Sequence, residues 1–113
     1  MHRYLVSFDD GSMDHISDAE LPAVGDAAHA VVREAKAAGV WIWGGGILRQ
    51  QATIVATDGH VTAGPVPETK AVVGGFSILE VASHADALAW AARFAKACRC
   101  AQEVREIMYD PES

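Results

Sequence analysis

An acid and a base stand two residues apart in a segment framed by prolines. Glu68 and Lys70 follow Pro65 and Pro67, which fix their own φ angles and favour extended backbone before Glu68. Side chains at positions i and i+2 of an extended segment point to the same side. Glu68 could then remove a proton while Lys70 holds the anion that forms. The alternatives are a surface ion pair, or a contact that holds this arm against Arg105.

Two histidines are further candidates for acid/base chemistry. His15 lies beside Asp14 in a polar loop, but adjacent residues rarely point at one target, so a solvated loop is the simpler interpretation. His29 lies on a predicted helix, to one side of the apolar stripe and towards Arg33 and Lys36, which predicts an exposed histidine. The five histidines show no HxxxH or HxH spacing, so we expect no metal site.

Composition and charge narrow the class of protein. The chain has 113 residues, half of them hydrophobic, which predicts one folded domain over residues 1–113. Nine Lys+Arg stand against fifteen Asp+Glu and form no basic stripe, so nucleic-acid binding is disfavoured. The apolar opening ends at Asp9-Asp10 and is too short for a signal sequence or a membrane span. We therefore expect a cytoplasmic protein without a membrane partner, with Cys98 and Cys100 as free buried or half-buried thiols.

Two amphipathic helices are predicted from three- and four-residue apolar spacing. The first runs from Pro22 to Ala38 and ends at Gly39, with an apolar stripe at Val24, Ala28, Val31, Ala35 and Ala38. The second is capped by Ser83, with a buried stripe at Leu88, Ala91, Phe94, Ala95 and Cys98. Trp90 lies beside the second stripe and is expected to pack against the core.

The strands are predicted at Arg3–Phe8, Val40–Trp43, Val72–Val81 and, at an edge or subunit seam, about Ala101–Met108. Asp58-Gly59 predicts a tight hairpin between residues 52–57 and 60–62. The strand at Val40–Trp43 is apolar on both faces, which indicates that a second subunit covers the sheet.

Glycines mark two positions in these strands. Gly44-Gly45-Gly46 follows Trp43 but lacks the lysine and spacing of a phosphate-binding loop. Gly74 and Gly75 lie inside the Val72–Val81 strand, where glycine indicates either a β-bulge or the close approach of another group.

The segment from Ala63 to Phe76 resembles a family motif. The motif reads Asp-Gly-Pro-Phe-x-Glu-Thr-Lys-Glu, then an apolar pair and Gly-Gly-Phe. Matches in order and spacing are Gly64, Pro65, Glu68, Thr69, Lys70, Gly74, Gly75 and Phe76, whereas Ala63, Val66 and Ala71 differ. On these residues the chain is identified as a member of the YCII-related superfamily, in the branch named after the Asp-Gly-Pro-Phe (DGPF) motif. The resemblance extends to residues 38–40, 87–91 and 103–105.

This resemblance implies a fold and an assembly. It implies an α+β, ferredoxin-like βαββαβ protomer with an inserted β-hairpin, whose sheet packs against that of a partner in a homodimer, as a dimeric α+β barrel. The predicted element order gives the same βαββαβ pattern independently.

The resemblance also implies a function, since some members catalyse lyase, isomerase or dehydrochlorinase steps on ring compounds without a metal or a dissociable cofactor. A helix histidine is a catalytic candidate in these relatives, and His29 stands about one residue out of that register. The site implied here has catalytic Glu68, Lys70 and His29, with Gly64, Pro65 and Arg105 binding a small organic substrate. The alternative is a non-catalytic ligand-binding or regulatory dimer, because Ala63 and Ala71 replace two motif acids.

Overall fold

The computed structural model describes residues 1–49, 52–63 and 73–113 of the chain. Four predicted site residues, Gly64, Pro65, Glu68 and Lys70, lie outside these ranges. The elements in chain order are β1 (His2–Asp9), α1 (Leu21–Ala37), β2 (Trp41–Gly46), β3 (Thr53–Val55), β4 (Val61–Ala63), β5 (Val73–Val81), α2 (His84–Cys98) and β6 (Glu103–Glu106). Within these ranges, neither helix is long and apolar enough to cross a membrane.

The main sheet has the strand order β2-β5-β1-β6, and every neighbouring pair is antiparallel. β1 and β2 are therefore parallel, with β5 between them, and α1 connects them as the crossover helix. The same arrangement repeats for β5, α2 and β6 around β1. This is the ferredoxin-like α+β fold that the sequence predicts, with β3 and β4 as the inserted hairpin.

Local signals in the sequence fix the ends of the helices and the hairpin turn. Ser83 Oγ accepts a hydrogen bond from the backbone N–H of Asp86 at 3.1 Å, which caps α2. α1 ends before Gly39, whose φ of 76° favours glycine. In the hairpin, Gly59 has a φ of 88° and Asp58 accepts a hydrogen bond from the His60 N–H. The predicted helix caps and hairpin are confirmed.

The core lies between the helices and one face of the sheet. Its buried members come from both layers: Tyr4, Val6, Val31, Leu79, Val81, Ala87, Ala91 and Phe94. Trp90 packs against this cluster, as predicted. The prediction that Leu88 is buried is wrong, because Ala87 occupies the inward position and Leu88 is 47% exposed. Cys98 is buried and Cys100 half-buried, both as free thiols.

The open face of the sheet, opposite the helices, is partly apolar. Leu5, Phe76 and Ile78 lie on it half-buried, because they alternate with core residues along β1 and β5. Trp43 pairs with Ile78 at the edge strand β2 and is 64% exposed. The helices of the described ranges leave this apolar face open.

The β3–β4 hairpin stands apart from the main sheet. It packs against none of the other helices and strands in the described ranges. Val55 and Val61, opposite one another in its two strands, are 65% and 57% exposed. An isolated two-stranded hairpin is only marginally stable in water.

Candidate active site

A cavity of about 430 Å³ opens between α1 and the sheet, at the end where β2 forms the edge. This volume lies in the range of small-molecule sites. Among the described residues its lining comes from the β1–α1 loop, both helices, β1, β2, β5 and Gln102 just before β6. The aromatic members are Phe8, Trp41, Trp43, Phe76 and Phe94, and the polar ones are His29, Lys36, Ser77 and Gln102.

The two glycines of β5 position the ring of Phe8 at this cavity. A Cβ on Gly75 would lie 2.5 Å from Phe8 Cζ, and one on Gly74 would lie 3.0 Å from Phe8 Cε2. Only a strand without side chains at these positions admits the ring. The β1–β5 register also shifts here, with Phe8 opposite Gly75 and Asp9 opposite Val73. Both explanations offered for this glycine pair, a bulge and a close approach, therefore hold.

The triple glycine belongs to β2 and not to a loop. The sequence predicts that this strand ends at Trp43, which is wrong: β2 continues to Gly46 because all three glycines pair with β5. A Cβ on Gly44 would lie 2.4 Å from the Phe76 carbonyl oxygen. At the same place the rings of Trp43 and Phe76 meet edge to face, with centroids 5.1 Å apart. The glycines thus bring β2 and β5 together, with this aromatic pair on the open face of the sheet.

One flank of α1 supplies the ionisable groups of the cavity. Gly25, His29, Val32 and Lys36 are spaced by three or four residues and all line it. His29 is exposed, as its position beside the apolar stripe predicts. The flank of the helix that carries it borders the cavity as well as solvent. Its ring takes part in none of the ion pairs that the described residues form.

The thiol of Cys98 lines the cavity from α2. Burial, with a smaller contribution from Cys100, raises the pKa of Cys98 to about 11. The thiol is therefore protonated at neutral pH and is a poor nucleophile. Burial also raises the pKa of Cys100. The side-chain amide of Gln102 donates to the Cys100 carbonyl oxygen at 3.4 Å and lies 3.6 Å from the Cys100 sulfur. This contact orients Gln102 at the cavity.

The loop between β1 and α1 is held by Arg49. The guanidinium contacts Asp10 at 3.0 Å and Asp14 at 2.7 Å, and both carboxylates raise the pKa of Arg49. The loop places Met13 in the cavity lining, whereas neither Asp14 nor its neighbour His15 is part of that lining. Asp14 thus serves an ion pair within the described part of the chain.

The predicted site residues fall in three places. His29 lines the cavity. Arg105 lies on the open face of the sheet, because it pairs with Leu5, and forms an exposed ion pair with Glu103 at 2.6 Å. Arg105 is not among the described residues that line the cavity. The roles of Glu68, Lys70, Gly64 and Pro65 stay predictions, since these residues lie outside the described ranges.

Sequence reasoning missed several lining residues, namely Phe8, Met13, Lys36, Trp43 and Gln102 as members of a site. Only Lys36 left a usable signal. It follows His29 by seven residues, which is two helical turns, so both share one flank of α1. No group of three His, Cys, Asp or Glu residues that could hold a metal ion occurs among the described residues.

A family model places this chain among known proteins. The model of the YCII-related domain matches residues 5–109, which is most of the chain. The chain belongs to the YCII-related domain family. This confirms the family named from the Gly-Pro and Gly-Gly-Phe motifs. The cavity of this YCII-related chain therefore lies in a fold shared by the family.

Among solved structures, a bacterial dehydrochlorinase is similar to this YCII-related chain over nearly its full length. It is the 5-chloro-2-hydroxyhydroquinone dehydrochlorinase from Burkholderia phenoliruptrix AC1100, in complex with 2,5-dihydroxybenzoquinone. The TM-score is 0.54 and the identity 20%, over 99% of this chain and 98% of that chain. At this identity the similarity shows the fold alone. No curated protein sequence matches the chain.

Proposed function

We propose that this YCII-related chain is a single-domain, homodimeric enzyme that acts on a small ring compound by acid/base chemistry in the cavity. One observation carries the proposal: His29 borders a cavity of about 430 Å³ whose remaining wall is largely apolar and includes the rings of Phe8, Trp41 and Phe94. The similar fold of a dehydrochlorinase that binds a dihydroxybenzoquinone supports the choice of a ring compound.

The proposed reaction starts with proton removal. The imidazole of His29 accepts a proton from a hydroxyl group or ring carbon of the bound compound. The electron pair left behind expels a leaving group or moves within the ring, which gives a lyase or isomerase outcome. Glu68 and Lys70 are proposed as a second acid/base group and a cation for the anion, with Gly64 and Pro65 shaping the arm. Their support is the sequence motif.

The test uses 5-chloro-2-hydroxyhydroquinone and related hydroxylated rings in D₂O, with chloride release and ring deuteration followed by NMR. We expect His29→Gln to lower the rate by about 10²- to 10⁴-fold, because a positioned general base contributes that much. His15→Gln is the matched control and should keep full activity, since His15 does not line the cavity. Equal rates for wild type and His29→Gln would rule out the proposed base.

A second candidate function is a binding or regulatory module without turnover. It is favoured by the free imidazole of His29, which no carboxylate of the described residues orients by an ion pair. The alanines at positions 63 and 71, where the motif has acids, favour it as well. Binding of 2,5-dihydroxybenzoquinone without exchange or turnover of any compound in the panel would establish this alternative.

The proposed homodimer rests on the open face of the sheet. Leu5, Phe76 and Ile78 are only half-buried there, with Trp43 exposed beside them. Packing this face against that of a second copy would remove the apolar surface from water. It would also bring two sheets together as a dimeric α+β barrel, the assembly that the family resemblance implies.

A further inference from the structure

The cavity concentrates the aromatic residues of the chain. Phe8, Trp41 and Phe94 line it from the side of the helices, and Phe76 and Trp43 border it at the paired edge of β2 and β5 with their rings on the open face. The third tryptophan, Trp90, packs elsewhere against Arg93. Aromatic walls favour flat ligands, because stacked and edge-to-face contacts add to the burial of apolar area. The lining therefore selects for a planar ring over a saturated one of equal size.

The charge of the cavity is opposite to that of the chain. The protein carries fifteen Asp+Glu and nine Lys+Arg, yet the described part of the lining includes Lys36 and no carboxylate. Lys36 also forms none of the ion pairs found among the described residues. Its aliphatic stem can follow the apolar wall while its ammonium group stays available to a ligand.

Lys36 and His29 are placed for two ends of one ligand. Seven residues along α1 correspond to about 10 Å, and both residues face the same cavity. A single ring with one substituent spans most of this separation. The ring can then lie on the aromatic wall near His29 while a negatively charged substituent reaches Lys36.

We propose that the cavity selects a planar ring compound that carries a negative charge, with Lys36 as the residue that binds the anion. This inference rests on the proposed function, since it names the class of substrate on which His29 acts. Lys36 positions the ligand and takes no part in proton transfer. It supplies within the helix the positive charge that the sequence alone assigned to Lys70.

Binding is measured by NMR titration with three matched probes: benzoate, its neutral analogue benzamide, and cyclohexanecarboxylate, which keeps the charge but lacks the planar ring. The indole N–H signal of Trp41 reports on the cavity, and that of Trp90 is the internal reference. We expect benzoate to bind about tenfold more tightly than either analogue, and its affinity to fall with added salt.

The variants separate charge from shape. Lys36→Met should weaken benzoate about tenfold and leave benzamide unchanged, whereas Lys36→Arg should preserve the preference. Arg33→Met is the matched control, because Arg33 lies on the same helix outside the cavity lining. Equal binding of benzoate and benzamide to the wild type, or full benzoate affinity in Lys36→Met, would overturn the inference.

Two outcomes distinguish this inference from the proposed function. If neutral rings bind at Trp41 as tightly as benzoate and turnover still depends on His29, the charge selection is wrong and the enzyme proposal stands. If 2,5-dihydroxybenzoquinone and all three probes leave the Trp41 indole signal unchanged, both proposals are wrong.

Discussion

The contact between Phe8 and Gly75 gives the sharpest test of how this site is built. A Cβ at position 75 would lie 2.5 Å from Phe8 Cζ and 2.7 Å from Phe8 Cε1. Carbon atoms prefer separations of about 3.5–4.0 Å, so Gly75→Ala forces the ring to move by about 1 Å or more. The ring rests on the backbone of β5, and its displacement also changes the cavity wall.

The expected cost of Gly75→Ala combines two effects of opposite sign. Overpacking of a tight site costs about 1–3 kcal/mol. Replacing glycine by alanine where φ is ordinary stabilises by about 0.4–1 kcal/mol, because the unfolded chain loses freedom. The net loss in the free energy of unfolding is about 1–2 kcal/mol. For a domain of this size the melting temperature should fall by roughly 4–8 °C.

The assay is thermal and urea unfolding of four variants and the wild type. Gly46→Ala is the matched control: Gly46 lies directly opposite Gly75 in the β2–β5 register, and a Cβ there meets nothing within 4 Å. It should be neutral or stabilising. Phe8→Ala is destabilising by itself, but in that background Gly75→Ala should become neutral or stabilising, which is a coupling of about 2 kcal/mol. Equal costs of Gly75→Ala in both backgrounds would refute the steric argument.

Two further predictions concern assembly and pH. Ile78→Glu places a carboxylate in the middle of the open face, so light scattering should show the mass fall from that of a dimer of 12.0 kDa chains to that of a monomer. Leu88→Glu, on the exposed side of α2, is the control and should leave the dimer intact, and a monomeric wild type would contradict the proposal. Cys98 keeps its proton to about pH 11 in the native state, against 9.0 for an ordinary thiol, so the unfolded thiol ionises first. The contribution of this group to the free energy of unfolding is fully present below pH 9 and is lost between pH 9 and about 11. The loss amounts to about 2–3 kcal/mol, and urea unfolding of Cys98→Ala should not show it.

The frame of the fold could be predicted from short-range signals. The cap at Ser83, the stop at Gly39 and the turn at Asp58-Gly59 each depend on residues within four positions, so the sequence contains their causes. The end of β2 could not be predicted in this way. Glycine disfavours strands locally, but the pairing of Gly44–Gly46 with β5 is a long-range contact that overrides the preference.

The candidate site was predictable only in part, because helix periodicity identifies the core stripe and not what covers its flanks. The phase of α1 correctly placed His29 beside Val24 and Val31 and exposed. The helix phase does not show that this flank, which also carries Lys36 two turns after His29, borders a cavity. Whether this flank borders a cavity depends on where β2 and the Phe8 ring lie. Both positions are set by glycines of β2 and β5, which are distant from His29 in the sequence.

The inserted hairpin has a consequence for how this family can change. Residues 47–72 join β2 to β5, which are neighbours in the sheet, and form a connection roughly six times as long as a usual hairpin loop. The entropy of closing the longer loop costs only between about 1 and 2 kcal/mol more. Because β3 and β4 pack against no other described element, mutations there leave the core untouched. Natural selection can therefore rewrite the β3–β4 hairpin while the ferredoxin-like frame persists.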